Sequence, residues 1–244
     1  MELEIIARME SPLTEKFGIP RQSGLAESLK GRIVLEGPYA DERAVKGLED
    51  FDYIWVIWGF EGTGSGFRPQ VRPPRLGGNE YMGVFATRSP YRPNPIGLSC
   101  MRLESVEIVD GKPVLNVSGS DLRDGTPIYD IKPYLPYAEA HPGARGGFTD
   151  STKDYGLRVV FGDSIAYDAG VTESGLGENG ADCEEFNYPA EFTDDDIEAV
   201  TELLSQDPRP AYHDDPERIY GMKYKDKDVR FRVDGDTVIV TEIV

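Results

Sequence analysis

Apolar and polar residues alternate from Glu2 to Arg8, and a short β-rich run follows at Gly31 to Leu35, so the chain opens on strands. Phe51 to Phe60 reads FDYIWVIWGF, almost wholly aromatic and β-branched, and predicts a buried central strand. Further strands are predicted at Tyr81 to Thr87, Gly97 to Val109 and Lys112 to Ser118, the last two joined by an Asp110-Gly111 hairpin turn. One short helix is expected near Asp41 to Leu48, capped by Asp41. Short strands with Gly and Pro punctuation predict a closed or nearly closed barrel up to about Tyr137.

After His141 the pattern changes. Pro142 to Gly147 is Gly-rich, and Gly162 to Asn187 is both acidic and Gly-rich. Thr193 to Ser205 (TDDDIEAVTELLS) is the clearest helix, with Thr193 as N-cap and Ile197, Val200, Leu203 and Leu204 on one face. Strands at Val229 to Val233 and Thr237 to Ile243 follow, joined at Asp234-Gly235. The expected fold is mainly β with α+β character: an N-terminal β-barrel domain within 1–140 and a small α+β domain within 155–244. A chain of 244 residues, 39% apolar, can bury the cores that two such domains need.

Charge complicates the choice of partner. The net charge is −18, which counts against a polyanion if taken as a sum. Its distribution is uneven. Between Arg158 and Arg209 there is no Lys or Arg, whereas Gly62 to Arg102 carries Arg68, Arg72, Arg75, Arg88, Arg92 and Arg102 against one acid, Glu80. A local basic surface is compatible with that arrangement. So acidic a surface also fits a high-salt cytoplasm, as in a halophilic archaeon. Charges in Met1 to Glu10 and the lack of a long apolar run predict a cytoplasmic protein with no membrane segment. Cys100 and Cys183 have no metal-site spacing around them, so two free thiols and no metal are expected.

Glu61 to Gly66 (EGTGSG) follows a hydrophobic strand and imitates a nucleotide-binding Gly-rich loop. Such a loop needs a helix directly behind it. Pro69, Pro73 and Pro74 preclude one, so a loop reaching from a barrel strand is expected instead. More informative is Gly83 to Ser99, GVFATRSPYRPNPIGLS. Pro90, Pro93 and Pro95 fix φ and remove backbone donors, which presets an extended-and-turn ribbon presenting Arg88, Ser89, Arg92 and Asn94.

That string resembles the hallmark of TrmO/TsaA-like proteins. Four other segments resemble the same family: Lys16 to Leu25 (KFGIPRQSGL), Arg72 to Asn79 (RPPRLGGN), Asp124 to Tyr137 (DGTPIYDIKPYLPY) and Asp207 to Tyr212 (DPRPAY). The resemblance implies a homodimer whose N-terminal β-barrel binds S-adenosylmethionine and methylates N6 of threonylcarbamoyladenosine at position 37 of tRNA. It implies cofactor contacts from Pro20, Arg21 and Gln22, from Arg88 and Leu98, and from Asp124, Gly125, Thr126 and Pro127. Glu61-Gly62 departs from the family's usual His-containing pair, and leaves open a binding module that holds the cofactor without catalysis.

Methyl transfer from a sulfonium needs positioning and exclusion of water more than it needs a nucleophile on the protein. Asp124 and Asp130 are the acids expected near the sulfonium, with Asp130 alternatively a general base and turn capping the plainer role for both. Asp130, Lys132 and Tyr134 form the candidate catalytic group. Arg92 and Lys132 are candidates for phosphate or carboxylate recognition, and Asn94, Arg209 and Tyr212 for contact with RNA. Phe85, Tyr134 and Tyr137 are candidates for stacking on a base or for core packing.

Overall fold

In the computed structural model, which describes residues 2–61, 66–151, 156–162, 165–167, 186–209 and 215–244, the chain forms a closed barrel, a five-stranded sheet and a two-stranded sheet. Its first half contains β1 (Ala7–Glu10), β2 (Lys30–Leu35), β3 (Tyr53–Gly59), the two-residue β4 (Gln70–Val71) and β5 (Met82–Gly83), β6 (Ile96–Val109), β7 (Lys112–Ser118) and β8 (Pro127–Pro133). Six of these close into an antiparallel barrel in the order β1-β2-β7-β6-β3-β8, as the short punctuated strands predict. Closure leaves the barrel itself no free edge. Ile33, Ile54, Val56, Met101, Leu115 and Ile128 fill the interior, all fully buried. The β6–β7 hairpin turns at Asp110 and Gly111, both left-handed at φ 51° and 74°, as a twisted two-residue turn requires.

After a one-turn α1 (Pro136–Glu139), the second half contains β9 (Arg158–Phe161), β10 (Ile165–Tyr167), α2 (Asp194–Ser205), β11 (Tyr220–Tyr224), β12 (Lys227–Asp234) and β13 (Thr237–Ile243). Their sheet runs β10-β9-β13-β12-β11, with β13 and β9 parallel and the other pairs antiparallel. Helix α2 buries Ile197, Val200, Leu203 and Leu204 against it. A capping box fixes its start: the Thr193 hydroxyl accepts from the Asp196 amide, and the Asp196 carboxylate accepts from the Thr193 amide at 2.8 Å.

The segment between β1 and β2 leaves the barrel and enters this second core. Leu13, Ala26 and Leu29 are buried among α2 and the sheet. Burial of each leucine contributes about 1.5–3 kcal/mol. The Lys225 amide donates to the Pro12 carbonyl at 2.7 Å, the Ser28 amide to Glu202 Oε2 at 2.8 Å, and Lys30 pairs with Asp195. The stretch holding Pro20 to Gln22 is thus pinned from behind.

Three sequence expectations change. Tyr81 to Thr87 is not a strand; only Met82–Gly83 pairs, and Val84–Ala86 forms a 3₁₀ turn. The Arg92 guanidinium and the Thr87 hydroxyl occupy the Val84 carbonyl that a partner strand would need. The first strand lies later than Glu2 to Arg8, where β1 finds β2 and β8 on its two sides. Strand β3 is buried on one face only: Ile54 and Val56 point inward, while Tyr53 is 42% exposed.

Candidate active site

A cavity of about 460 Å³ opens at the end of the barrel where β3 runs out and β6 begins. That volume lies within the roughly 300–1,000 Å³ typical of small-molecule sites. Four segments wall it: residues 16–22, the end of β3 from Trp58 to Glu61, the proline ribbon from Thr87 to Leu98, and the loop from Asp121 to Thr126.

Pro20 is buried at the wall, and Arg21 and Gln22 stand beside it. Gln22 Oε1 accepts a hydrogen bond from the Arg88 guanidinium, tying the first segment to the ribbon. The Ser23 hydroxyl accepts from the Cys100 amide at 3.1 Å, which ties it to β6 as well. Within the ribbon, Arg92 donates to the Val84 carbonyl at 3.1 Å and to the Thr87 carbonyl at 2.7 Å. Part of its hydrogen-bonding capacity therefore holds the ribbon closed. Leu98, 47% exposed, forms the rim.

The floor carries a polar relay that the sequence reading did not find. The Trp58 indole N–H donates to Ser99 Oγ at 2.9 Å, and the Ser99 hydroxyl donates to Asp121 Oδ1 at 2.6 Å. Burial raises the Asp121 carboxyl above its ordinary range, against the opposing pull of the Ser99 hydroxyl and the Arg88 charge. Trp58 packs on Phe60 with ring centroids 4.3 Å apart, giving the cavity an aromatic side. Gly97 makes room for this: a Cβ there would lie 2.2 Å from the indole.

Other expected residues lie elsewhere. Asp124 is exposed, and its Oδ1 accepts from the Ser11 amide at 3.0 Å, which is the turn-capping role. Within one chain the cavity takes its acid from Asp121, with Glu61 near Arg123 at 3.6 Å, and not from Asp124. Thr126 lines the cavity, whereas Gly125 and Pro127 shape the turn behind it: Gly125 sits at φ 76°, and Pro127 pairs with Arg8. Asn94 is exposed and does not line the cavity.

Asp130 and Lys132 pair with each other at 2.7 Å, and neither they nor Tyr134 line the cavity. They stand on the outer side of β8, where Trp55 lies opposite Lys132, and Ile57 opposite Asp130. Phe85 and Tyr137 are 70% and 88% exposed, which excludes the core role for both. Arg209 faces inward: its side chain is 11% exposed and grips Asp207 at 2.8 and 3.0 Å. The Asp207 carbonyl in turn accepts from Arg21 at 3.3 Å. Arg209 therefore braces the cavity wall and is not held out towards RNA. Tyr212, Cys183 and most of the EGTGSG loop lie outside the described residues.

Residues 8–140 match the family model of the tRNA-methyltransferase O N-terminal domain, and 181–244 match that of the TrmO C-terminal domain. The chain belongs to the tRNA-methyltransferase O family. An Escherichia coli (strain K12) relative named tRNA (adenine(37)-N6)-methyltransferase is 40% identical over 235 residues, covering 95% of this chain and 93% of its own. A Pyrococcus abyssi relative, named a probable S-adenosyl-L-methionine-binding protein, is 34% identical over 146 residues, or 59% of this chain and 74% of its own. A crystal structure of TrmO from Pseudomonas aeruginosa matches with a TM-score of 0.73 at 29% identity, covering 100% of this chain and 98% of that one. Barrel, ribbon and cavity are thus features of a TrmO chain. Among the described residues no helix is long and apolar enough to cross a membrane, and no cluster of His, Cys, Asp or Glu could hold a metal ion.

Proposed function

We propose that this chain is an S-adenosylmethionine-dependent methyltransferase that acts on N6 of adenosine 37 in tRNA, with threonylcarbamoyladenosine as the acceptor. The observation that carries the reading is the cavity. It joins a largely buried acid, an aromatic wall and four arginines in a volume suited to one nucleoside-sized ligand, and a relative at 40% identity over nearly the whole chain bears this activity in its name.

S-adenosylmethionine, when bound, supplies an electrophilic methyl group on a sulfonium. Asp121 provides negative charge for a cationic ligand on the cavity floor, and Ser99 and Trp58 hold it in place. Arg88, fixed by Gln22, offers a planar donor for a carboxylate. Trp58 and Phe60 present apolar surface to a purine and exclude water. The proline ribbon and the segment anchored in the second core keep these groups in place before binding, which lowers the ordering cost.

The protein acts as a homodimer through the outer face of β3, β6 and β8. Tyr53, Trp55, Ile57, Leu98 and Cys100 form an apolar patch there that includes the cavity rim. A two-fold contact sets such a patch against its own copy. Asp130, Lys132 and Tyr134 share that face, so each protomer offers them to its partner's cavity mouth, with Asp130 as the group that takes the N6 proton. Mixing inactive Asp130→Asn and Arg88→Ala chains should then restore part of the activity, since one site in the mixed dimer keeps both residues. No recovery after subunit exchange would show that the sites are not shared.

Labelled S-adenosylmethionine incubated with the protein and tRNA carrying threonylcarbamoyladenosine tests the whole reading. Label is expected in that nucleoside. Label held by the protein and absent from tRNA would make the chain a cofactor-binding module, the reading that Glu61-Gly62 in place of the usual His-containing pair keeps in view.

A further inference from the structure

A second, larger hollow of about 1240 Å³ runs beside the cofactor cavity, between the proline ribbon and the β4–β5 arm, and shares Arg21, Gln22, Thr87 and Arg88 with it. Its charged lining consists of Arg21, Arg68, Arg72 and Arg88, with no carboxylate among the described residues that line it. The chain carries 44 acids against 26 Lys and Arg, so a lining drawn evenly from its charges would be mostly acidic. An all-arginine charged lining in such a protein suits an anionic occupant.

The arginines are held in defined planes. Arg68 Cζ lies 4.0 Å from the centre of the Tyr91 ring, and Arg72 Cζ lies 4.4 Å from that of Tyr81. Arg72 also donates to the Tyr81 hydroxyl at 2.6 Å. Neither forms an ion pair among the described residues, and both are exposed. The arm itself is tied to the ribbon, with the Arg68 amide donating to the Tyr91 carbonyl at 3.1 Å and the Val84 amide to the Pro69 carbonyl at 3.0 Å. Phe85 lines the same groove at 70% exposure and stacks on Phe67, itself 52% exposed. Fixed guanidinium planes beside an open aromatic face are the elements with which proteins hold single-stranded nucleic acid: charge for the backbone, a ring for a base.

We propose that this groove is the track along which single-stranded RNA approaches the cofactor cavity, with Arg68 and Arg72 on backbone phosphates and Phe85 stacked on a base next to the methylated one. The choice of RNA rests on the function proposed above. An acidic peptide would also satisfy the charges, but it has no use for Phe85.

The test measures binding of a fluorescent tRNA anticodon stem-loop to the full chain over a series of KCl concentrations, with S-adenosylmethionine affinity followed by calorimetry. For Arg68→Gln/Arg72→Gln, RNA affinity should fall at least about tenfold, and the slope of log K against log[KCl] should flatten by roughly 1.4, or 0.7 per single-strand phosphate contact. Phe85→Leu should weaken RNA binding about tenfold and leave the salt slope alone. Cofactor affinity should stay at the wild-type value in all of them, because none of the three side chains lines that cavity. Arg68→Lys/Arg72→Lys should keep the salt slope.

Wild-type RNA affinity and salt slope in the Gln variant, with cofactor binding intact, would overturn the proposal. So would polyglutamate binding as tightly as RNA and insensitive to Phe85→Leu. A wild-type protein that binds the stem-loop through these residues but transfers no methyl group would sink the proposed function and leave the groove standing. Normal methylation with an unchanged KM for tRNA in the variants would do the reverse.

Discussion

Asp121 is the residue on which the site's electrostatics turn. Its carboxyl is raised by burial, so the folded state without ligand binds a proton more readily than the unfolded chain does. Stability from this group is greatest at low pH and falls as pH rises through its folded-state pKa. Asp121→Asn should therefore raise the melting temperature of the ligand-free protein at neutral pH while weakening S-adenosylmethionine binding by at least about tenfold, or ~1.4 kcal/mol. In the wild type, cofactor affinity should decline as pH falls and Asp121 becomes neutral. Unchanged affinity in the variant would remove Asp121 from the site. The sequence did not reveal this residue, because in DLRDG the second acid precedes the glycine and has the turn chemistry, which drew attention to Asp124. Only the left-handed Gly119, at φ 69°, and the fold of β3 over β6 bring Asp121 under Trp58.

At the scale of elements, α2 shows how the second core supports the first. Asp196, at its N-terminus, accepts from Thr193 at 2.8 Å, from the Lys225 ammonium at 2.6 Å and from the Tyr224 hydroxyl at 3.0 Å. Burial pushes its carboxyl up, but these bonds outweigh it and leave the group below its ordinary value. A lowered carboxyl contributes stability that is present above its unfolded-state pKa and is lost as pH falls through the folded one. Asp196→Asn should therefore destabilise the protein at neutral pH by about 1–3 kcal/mol, and its deficit against wild type should shrink in acid. A denaturant midpoint that differs from wild type by the same amount at both ends of the pH range would contradict this.

Helix α2, its cap and the two hairpins were legible because each rests on local chemistry: Thr193 at the start, Asp110-Gly111 and the Gly235 turn between strands. Strands β9 and β11 were not, since RVVF and YGMKY are short and become strands only by pairing with β13 and β12. Nor could local pattern reveal that Leu13 and Leu29 leave the barrel for the second core.

For the whole molecule, the same arrangement explains how an acidic chain presents a basic working face. Arg68, Arg72, Arg88 and Arg92 gather around the ribbon, while the acid-rich stretch lies in the other half of the sequence. The second core also reaches the cavity wall through the chain Arg209–Asp207–Arg21 and through the 12–29 segment, anchored by buried Leu13, Ala26 and Leu29. Composition announced the charge asymmetry, but contacts so distant in sequence depend on tertiary structure.

All of this depends on where the methyl donor sits. The direct measurement is a crystal structure of the protein soaked with S-adenosylmethionine. Density is predicted in the barrel-end cavity, bounded by Pro20 to Gln22, Arg88 and Leu98, with Asp121 facing its cationic part. Density bound elsewhere on the chain, with that cavity holding only water, would contradict the account.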